Sequence, residues 1–142
     1  MNFAIRRAVA ADVPAMHRLR NSVGENRLSD PQHVSEASYL PYIATGSIWI
    51  AETDKGVLGF GAIDATSTTV WALFVDPRAE GRGIGRALHR HMIDWAHEQG
   101  IGRLSLSTGK GTRAVEFYKR AGWTEVGTTA DGEVLFEKTL PR

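Results

Sequence analysis

The chain contains no cysteine. That excludes a disulfide framework, a thiol nucleophile and any cysteine-ligated metal. It also has almost no net charge: 17 Lys and Arg stand against 16 Asp and Glu. No overall field therefore recruits nucleic acid or an acidic membrane surface, and basic residues matter only where they cluster. No apolar run approaches the ~20 residues that span a bilayer. The opening Met1-Asn2-Phe3-Ala4-Ile5-Arg6-Arg7-Ala8 lacks the apolar core of a signal peptide. His89, His91 and His97 fall around a helical segment with neither an H-E-x-x-H spacing nor an acidic pair. They read as surface or boundary residues, and no metal site is expected. The expectation is a cytoplasmic protein without membrane or nucleic-acid partners. Its 142 residues suit one domain over 1–142, with no repeat, linker or low-complexity segment.

What the chain does have is a strand, a glycine-punctuated loop and a long helix between residues 68 and 97. An apolar β-branched and aromatic run is followed by Gly81, Gly83 and Gly85, then by Ile84, Ala87, Leu88, Met92, Trp95 and Ala96 at helical spacing. Glycines at a helix start bring bare backbone close to a ligand, and the unpaired N–H groups of the first turn favour anions, phosphate above all. Two nucleotide-binding patterns fail on this loop. The dinucleotide fingerprint G-x-G-x-x-G meets Arg86 counted from Gly81 and Leu88 counted from Gly83. Gly109-Lys110 is followed by Gly111 and lacks the P-loop spacing.

Around this unit the chain predicts a short strand near residues 3–8 and a helix opened by Asp12 and Pro14. A second helix, opened by Asp30-Pro31, is interrupted at Pro41. Three strands in a meander follow, from Ser47 to Val75, then the long helix and a strand over residues 103–107. A shorter helix over residues 113–120 leads to a hairpin about Asp131-Gly132. The order is βααβββαβαββ, an α/β (α+β) architecture with a mixed sheet and helices on both faces. Trp49, Trp95 and Trp123 fall at core positions.

Two segments carry more. Val75-Asp76-Pro77 is followed by Glu80-Gly81-Arg82-Gly83-Ile84-Gly85, and Ala114-Val115-Glu116-Phe117-Tyr118 by Lys119-Arg120-Ala121-Gly122-Trp123. Together, at this separation, they resemble the GNAT acetyltransferase superfamily, whose signatures are V-x-P, then [QR]-x-x-G-x-[GA], and later A-x-x-F-Y-x-x-x-G-[FW]. The resemblance covers nearly the whole chain. Two positions depart from it: Glu80 stands where Gln or Arg is usual, and Gly111 where many members carry Asn.

The resemblance implies a twisted, mostly antiparallel GNAT-like sheet and an enzyme that moves acetyl from acetyl-CoA to a primary amine of a small molecule or peptide, by direct attack in a ternary complex. A non-catalytic CoA-binding regulatory module is the alternative. Backbone from Gly81 through Arg82, Gly83, Ile84 and Gly85 to Arg86 would cradle the pyrophosphate of coenzyme A. Arg78, Arg82 or Arg86 would replace the charge missing at Glu80, although Arg82 and Arg86 also read as solvated helix-face charges. Leu73, Phe74 and Val75 would offer main-chain partners to the pantetheine arm, with a backbone N–H near Phe74 or Val75 polarising the thioester. Thr112 and Phe117 would complete the coenzyme site. Tyr118 would protonate the departing thiolate, or else pack in the core with its hydroxyl bonded elsewhere. For a general base the expected preceding-strand acid is absent. Asp64, Glu25 and His33 are the candidates, beside a water chain or capture of the free amine. Glu25 and Trp71 are candidate acceptor contacts, with the Trp71 indole either holding a cationic amine or serving the core. A homodimer is compatible with the family.

Overall fold

The computed structural model describes residues 2–22 and 34–141. Alternation in sequence becomes two buried faces at once. In β2 (Ile48–Thr53), Ile48 and Ile50 face one apolar cluster, and Trp49 and Ala51 face the other. A strand buried on both sides must lie inside a sheet covered by helices on each face.

Seven strands form that sheet, in the order β1-β2-β3-β4-β5-β7-β6. They are β1 (Ala4–Arg7), β2, β3 (Gly56–Asp64), β4 (Thr69–Val75), β5 (Arg103–Thr108), β6 (Thr124–Thr128) and β7 (Val134–Thr139). Every neighbouring pair is antiparallel except β4 and β5. The helices are α1 (Val13–Ser22), α2 (Leu40–Thr45), α3 (Ile84–Glu98) and α4 (Arg113–Arg120). The expected order of elements and mixed sheet are therefore observed.

Asp12 and Pro14 do open a helix. Asp12 accepts the Val9 N–H at 2.8 Å and receives the Arg6 guanidinium through both oxygens at 2.9 Å, while Arg6 also reaches Glu52 at 2.7 Å. One arginine thus ties β1, the turn before α1 and β2 together. Pro41 sits in the first turn of α2, after a separate 3-10 turn at Glu36–Tyr39. It starts that helix, where its missing N–H costs nothing. The expected helix opening at Asp30-Pro31 lies outside the described residues.

Val13, Met16 and Leu19 of α1 bury against Tyr39, Phe60 and Phe74 on one face, while α3 buries Ile84, Leu88, Met92, Trp95 and Ala96 on the other. The α3 helix lies directly on β3 because β3 is bare where they touch. A Cβ at Gly59 would lie 3.0 Å from the Phe74 carbonyl oxygen and 3.1 Å from Ile84 Cγ2. A Cβ at Gly61 would lie 2.5 Å from Met92 Sδ.

The feature that creates a site is the failure of β4 and β5 to stay together. Their pairing is confined to Thr69 opposite Ser105, with the Ser105 N–H bonded to the Thr68 oxygen at 3.0 Å. On its other edge β4 remains zipped to β3, but the register passes from Ala62–Ala72 to Ile63–Val70 and leaves Trp71 as an extra residue. Such a bulge sharpens the local twist and bends the strand away from its neighbour. Beyond it, β4 is paired on one side and split from β5 on the other.

Gly59→Val is expected to lower unfolding free energy by about 1–3 kcal/mol, the usual cost of overpacking, and to weaken ligand binding at the loop that α3 carries. Urea unfolding of the variant, with an unchanged midpoint, would contradict this seating of α3.

Candidate active site

The glycine loop follows β4 directly. Asp76 accepts the Arg78 N–H at 2.9 Å and shapes a short 3-10 turn at Pro77–Ala79. Gly81 and Gly83 then adopt φ of 83° and 82°, and a Cβ added at either would meet nothing within 4 Å. The backbone angle, and not space, calls for glycine at both. The Ala87 N–H is the first to close a helical bond, to Gly83 oxygen at 3.0 Å. The N–H groups of Ile84, Gly85 and Arg86 lack intrahelical acceptors and mark the positive end of α3.

A cleft of about 680 Å³ runs from the end of β4 along this loop to α4. Ladder parity decides which backbone groups of β4 face it. Asp76 donates to Leu58 and Phe74 pairs with Phe60, so the alternate residues Leu73 and Val75 turn their N–H and C=O groups away from β3, toward the split. At the mouth, the Glu80 carboxylate is ion-paired with Arg113, the first residue of α4.

Tyr118 lines the cleft. It is 6 % exposed and packed against Phe117, Trp123 and Phe136. Among the described residues its hydroxyl has no hydrogen-bond partner, and burial raises its pKa above the ordinary tyrosine value. The result is a neutral phenol whose proton is available to a ligand. A second cleft, of about 110 Å³, shares Tyr118, Ala114, Leu73 and Phe74 with the first. Arg20 and Trp71 contribute to its wall.

Similarity to known proteins agrees with this geometry. A family model described as an acetyltransferase (GNAT) domain matches residues 44–125, more than half of the chain. The chain belongs to the GNAT acetyltransferase family. It is 29 % identical to a streptothricin acetyltransferase of Streptomyces lavendulae over 98 % of this chain and 76 % of that protein. It is likewise 29 % identical to an amino-acid acetyltransferase of Mycobacterium tuberculosis, over 94 % of this chain and 75 % of that one. Among solved structures, an N-acetylglutamate synthase of Neisseria gonorrhoeae, complexed with coenzyme A and N-acetyl-glutamate, superposes with a TM-score of 0.81 at 22 % identity. That match covers all of this chain and 36 % of that one. The protein is accordingly an acetyl-CoA-dependent acetyltransferase. No helix among the described residues is long and apolar enough to cross a membrane.

Within this GNAT domain, Leu73, Phe74, Val75, Gly81, Gly83, Ile84, Gly85, Arg86, Phe117 and Tyr118 line the large cleft. Three expected coenzyme contacts do not. The Arg78 guanidinium turns back onto Asp76 at 2.9 Å and is 89 % exposed. Arg82 is exposed outside the lining, and the Thr112 hydroxyl donates to Gly109 oxygen at 2.8 Å. Of the three expected arginines, Arg86 remains at the cleft, joined by Arg113 and Arg120, to which no motif pointed.

Asp64 stands at the β3–β4 turn and lines neither cleft. Its Oδ1 accepts the N–H groups of Thr66 and Ser67 at 3.0 and 3.1 Å, and its Oδ2 accepts the Tyr42 hydroxyl at 3.1 Å. The Ser67 bond leads the effects that hold its carboxyl below the usual range, against the opposing effect of burial. In this position it anchors a turn. Glu25 and His33 lie outside the described residues. Trp71 does line the smaller cleft, but its ring is covered by Tyr42, 4.5 Å away at 31°, and by the Arg20 guanidinium, 5.0 Å from the ring centre. A face expected to hold a ligand cation is thus taken by a cation of the chain.

His89, expected at the surface or the boundary, is half-buried. It is a cleft-wall residue, because the buried Trp123 indole needs an acceptor and donates to His89 Nε2 at 2.9 Å. Burial, with a smaller effect from Lys138, lowers its pKa from 6.5 to about 4. Between those values the unfolded chain binds a proton that the fold refuses, so stability present above pH 6.5 is lost as pH falls toward 4. The loss should reach on the order of 3 kcal/mol near pH 4. His89→Gln keeps an acceptor for Trp123 and should flatten this part of the pH–stability curve; an unaltered slope would place the acid sensitivity elsewhere.

Proposed function

We propose that the protein transfers acetyl from acetyl-CoA to the amine of a small molecule or peptide, by direct attack while both are bound. The observation that carries this reading is that one buried tyrosine, Tyr118, lines both clefts, its hydroxyl without a hydrogen-bond partner among the described residues. A coenzyme in one cleft and an acceptor in the other would both border Tyr118.

The residues present suit the coenzyme. The positive-φ loop and the open end of α3 supply donors for a pyrophosphate, and Arg86 and Arg113 add cations near it. Acetyl-CoA brings an activated acetyl thioester. Along the split, the main chain of Leu73 and Val75 is available to pair with an extended arm as a strand would. An N–H there, aimed at the thioester carbonyl, stabilises the charge that grows on its oxygen; donors in that role are worth about 3 kcal/mol. The acceptor nitrogen forms a bond to the acetyl carbon as the carbon–sulfur bond breaks. Tyr118 donates its phenolic proton to the departing sulfur and regains one from the attacking nitrogen through water. No carboxylate among the described residues lines the smaller cleft, so capture of an amine already deprotonated fits this wall better than a side-chain base. The cysteine-free sequence favours direct transfer over a cysteine-bound acyl-enzyme.

Coenzyme A at about 100 times its Kd should add roughly 2.7 kcal/mol of stability, read as a thermal shift; no shift at millimolar coenzyme would overturn the proposal. Tyr118→Phe should lower kcat by about 10–100-fold with coenzyme binding nearly unchanged. Equal turnover, with chemistry shown to be limiting, would remove Tyr118 from the role.

Glu80 puts a negative charge beside the phosphate donors and occupies Arg113. Glu80→Gln should therefore tighten coenzyme A binding by up to about fivefold, the scale of one exposed ion pair, and reduce its dependence on salt. Calorimetric titration at two ionic strengths checks both.

A further inference from the structure

We propose that His89 binds the coenzyme through its Nδ1–H, and that Trp123 commits the ring to this role by holding its other nitrogen as an acceptor. The inference rests on the acetyl-transfer reading above. It adds to the coenzyme side of that site a binding residue and a positioning residue behind it.

His89 lies on α3 one turn after Gly85, so the two share a face of the helix. That face looks at α4. A Cβ at Gly85 would lie 3.4 Å from Phe117 Cε1, and the His89 ring meets Phe117 edge to face with centroids 5.9 Å apart at 84°. His89 lines the large cleft together with Arg86, Phe117 and Arg120.

Trp123 follows the glycine that ends α4 and is 4 % exposed; its indole N–H donates to His89 Nε2 at 2.9 Å. An indole nitrogen can only donate, so Nε2 must be the bare nitrogen of the ring. Burial lowers the His89 pKa to about 4 and keeps the imidazole neutral near pH 7. In a neutral imidazole the remaining nitrogen carries the proton, and here that nitrogen is Nδ1. A partner 34 residues away thus decides which nitrogen donates.

That donor is not used inside the protein. Among the described residues Nδ1 has no hydrogen-bond partner, and it is not sealed from its surroundings. His91 shows the ordinary alternative, with its Nδ1 3.1 Å from the Ala87 oxygen one turn back; His89 makes no such contact. Its tautomer and its place in the wall are settled before a ligand arrives, which lowers the ordering cost of binding. Coenzyme A carries acceptor oxygens and ring nitrogens to meet it, and the glycine loop one turn earlier already offers N–H donors of the same kind.

The test combines a spectrum of the ring nitrogens with coenzyme titration. In isotope-labelled protein His89 should show the Nδ1–H form, and saturating coenzyme A should move the Nδ1 resonance while Nε2 stays an acceptor. An Nε2–H ring, or an Nδ1 resonance that coenzyme A leaves in place, would overturn the inference. By calorimetry, His89→Leu should weaken coenzyme A binding about fivefold, the scale of one hydrogen bond. His89→Gln, which offers both an acceptor and a donor, should recover most of that loss. His89→Leu also strands the Trp123 N–H, so combining it with Trp123→Phe removes both partners and should regain stability. Coenzyme affinity should nevertheless stay low in the double variant; affinity that returned along with stability would reduce His89 to packing and sink the proposal. An unaltered protein that binds no coenzyme A would instead strike the acetyl-transfer reading, whereas one that binds it with a silent His89 ring strikes this inference alone.

Discussion

Everything in the site depends on a strand that is hydrogen-bonded along one edge and released along the other. β4 is zipped to β3 from Gly59–Val75 to Asp64–Thr69, yet it touches β5 in register only at Thr69 and Ser105. Unpaired backbone at the centre of a sheet is costly unless something satisfies it. The extra residue at Trp71 is what permits the divergence, because it adds twist where β4 must leave β5. The N–H and C=O groups of Leu73 and Val75 then face the split and not β3.

The charges are arranged around this opening with little redundancy. On the coenzyme side, the positive end of α3, Arg86 and Arg113 gather where phosphate would sit, and Glu80 is neutralised by pairing with Arg113. On the other side, Arg20 is held between Trp71 and Phe74. Between them stands Tyr118, kept neutral by burial. Asp64 is committed to its own turn, where its two oxygens accept three hydrogen bonds. A carboxylate that close to a cleft in sequence is therefore not a carboxylate in the cleft.

Local signals were legible wherever a residue answers to its own neighbours along the chain. The glycines at 81 and 83 announce left-handed backbone, and the apolar spacing of α3 announces a buried helix. Asp12 with Pro14 announces a helix start, and both predicted helix and strand orders follow from such signs. Where residues answer to distant partners, the signs fail. His89 reads only as a surface or boundary histidine, and its place on the cleft wall is hidden because Trp123, its hydrogen-bond partner, is 34 residues away. Arg20 carried no motif, and the rings it lies over, Trp71 and Phe74, come more than fifty residues later in the sequence.

The sequence by itself determined the order of elements, the anion-seeking loop and the family resemblance, because these rest on short-range spacing and backbone chemistry. Only the tertiary structure decided where β4 parts from β5, which arginines line the clefts, and that Tyr118 lines both of them. Those are relations between segments far apart in the chain, fixed by ladder register and helix seating, and no local pattern encodes them.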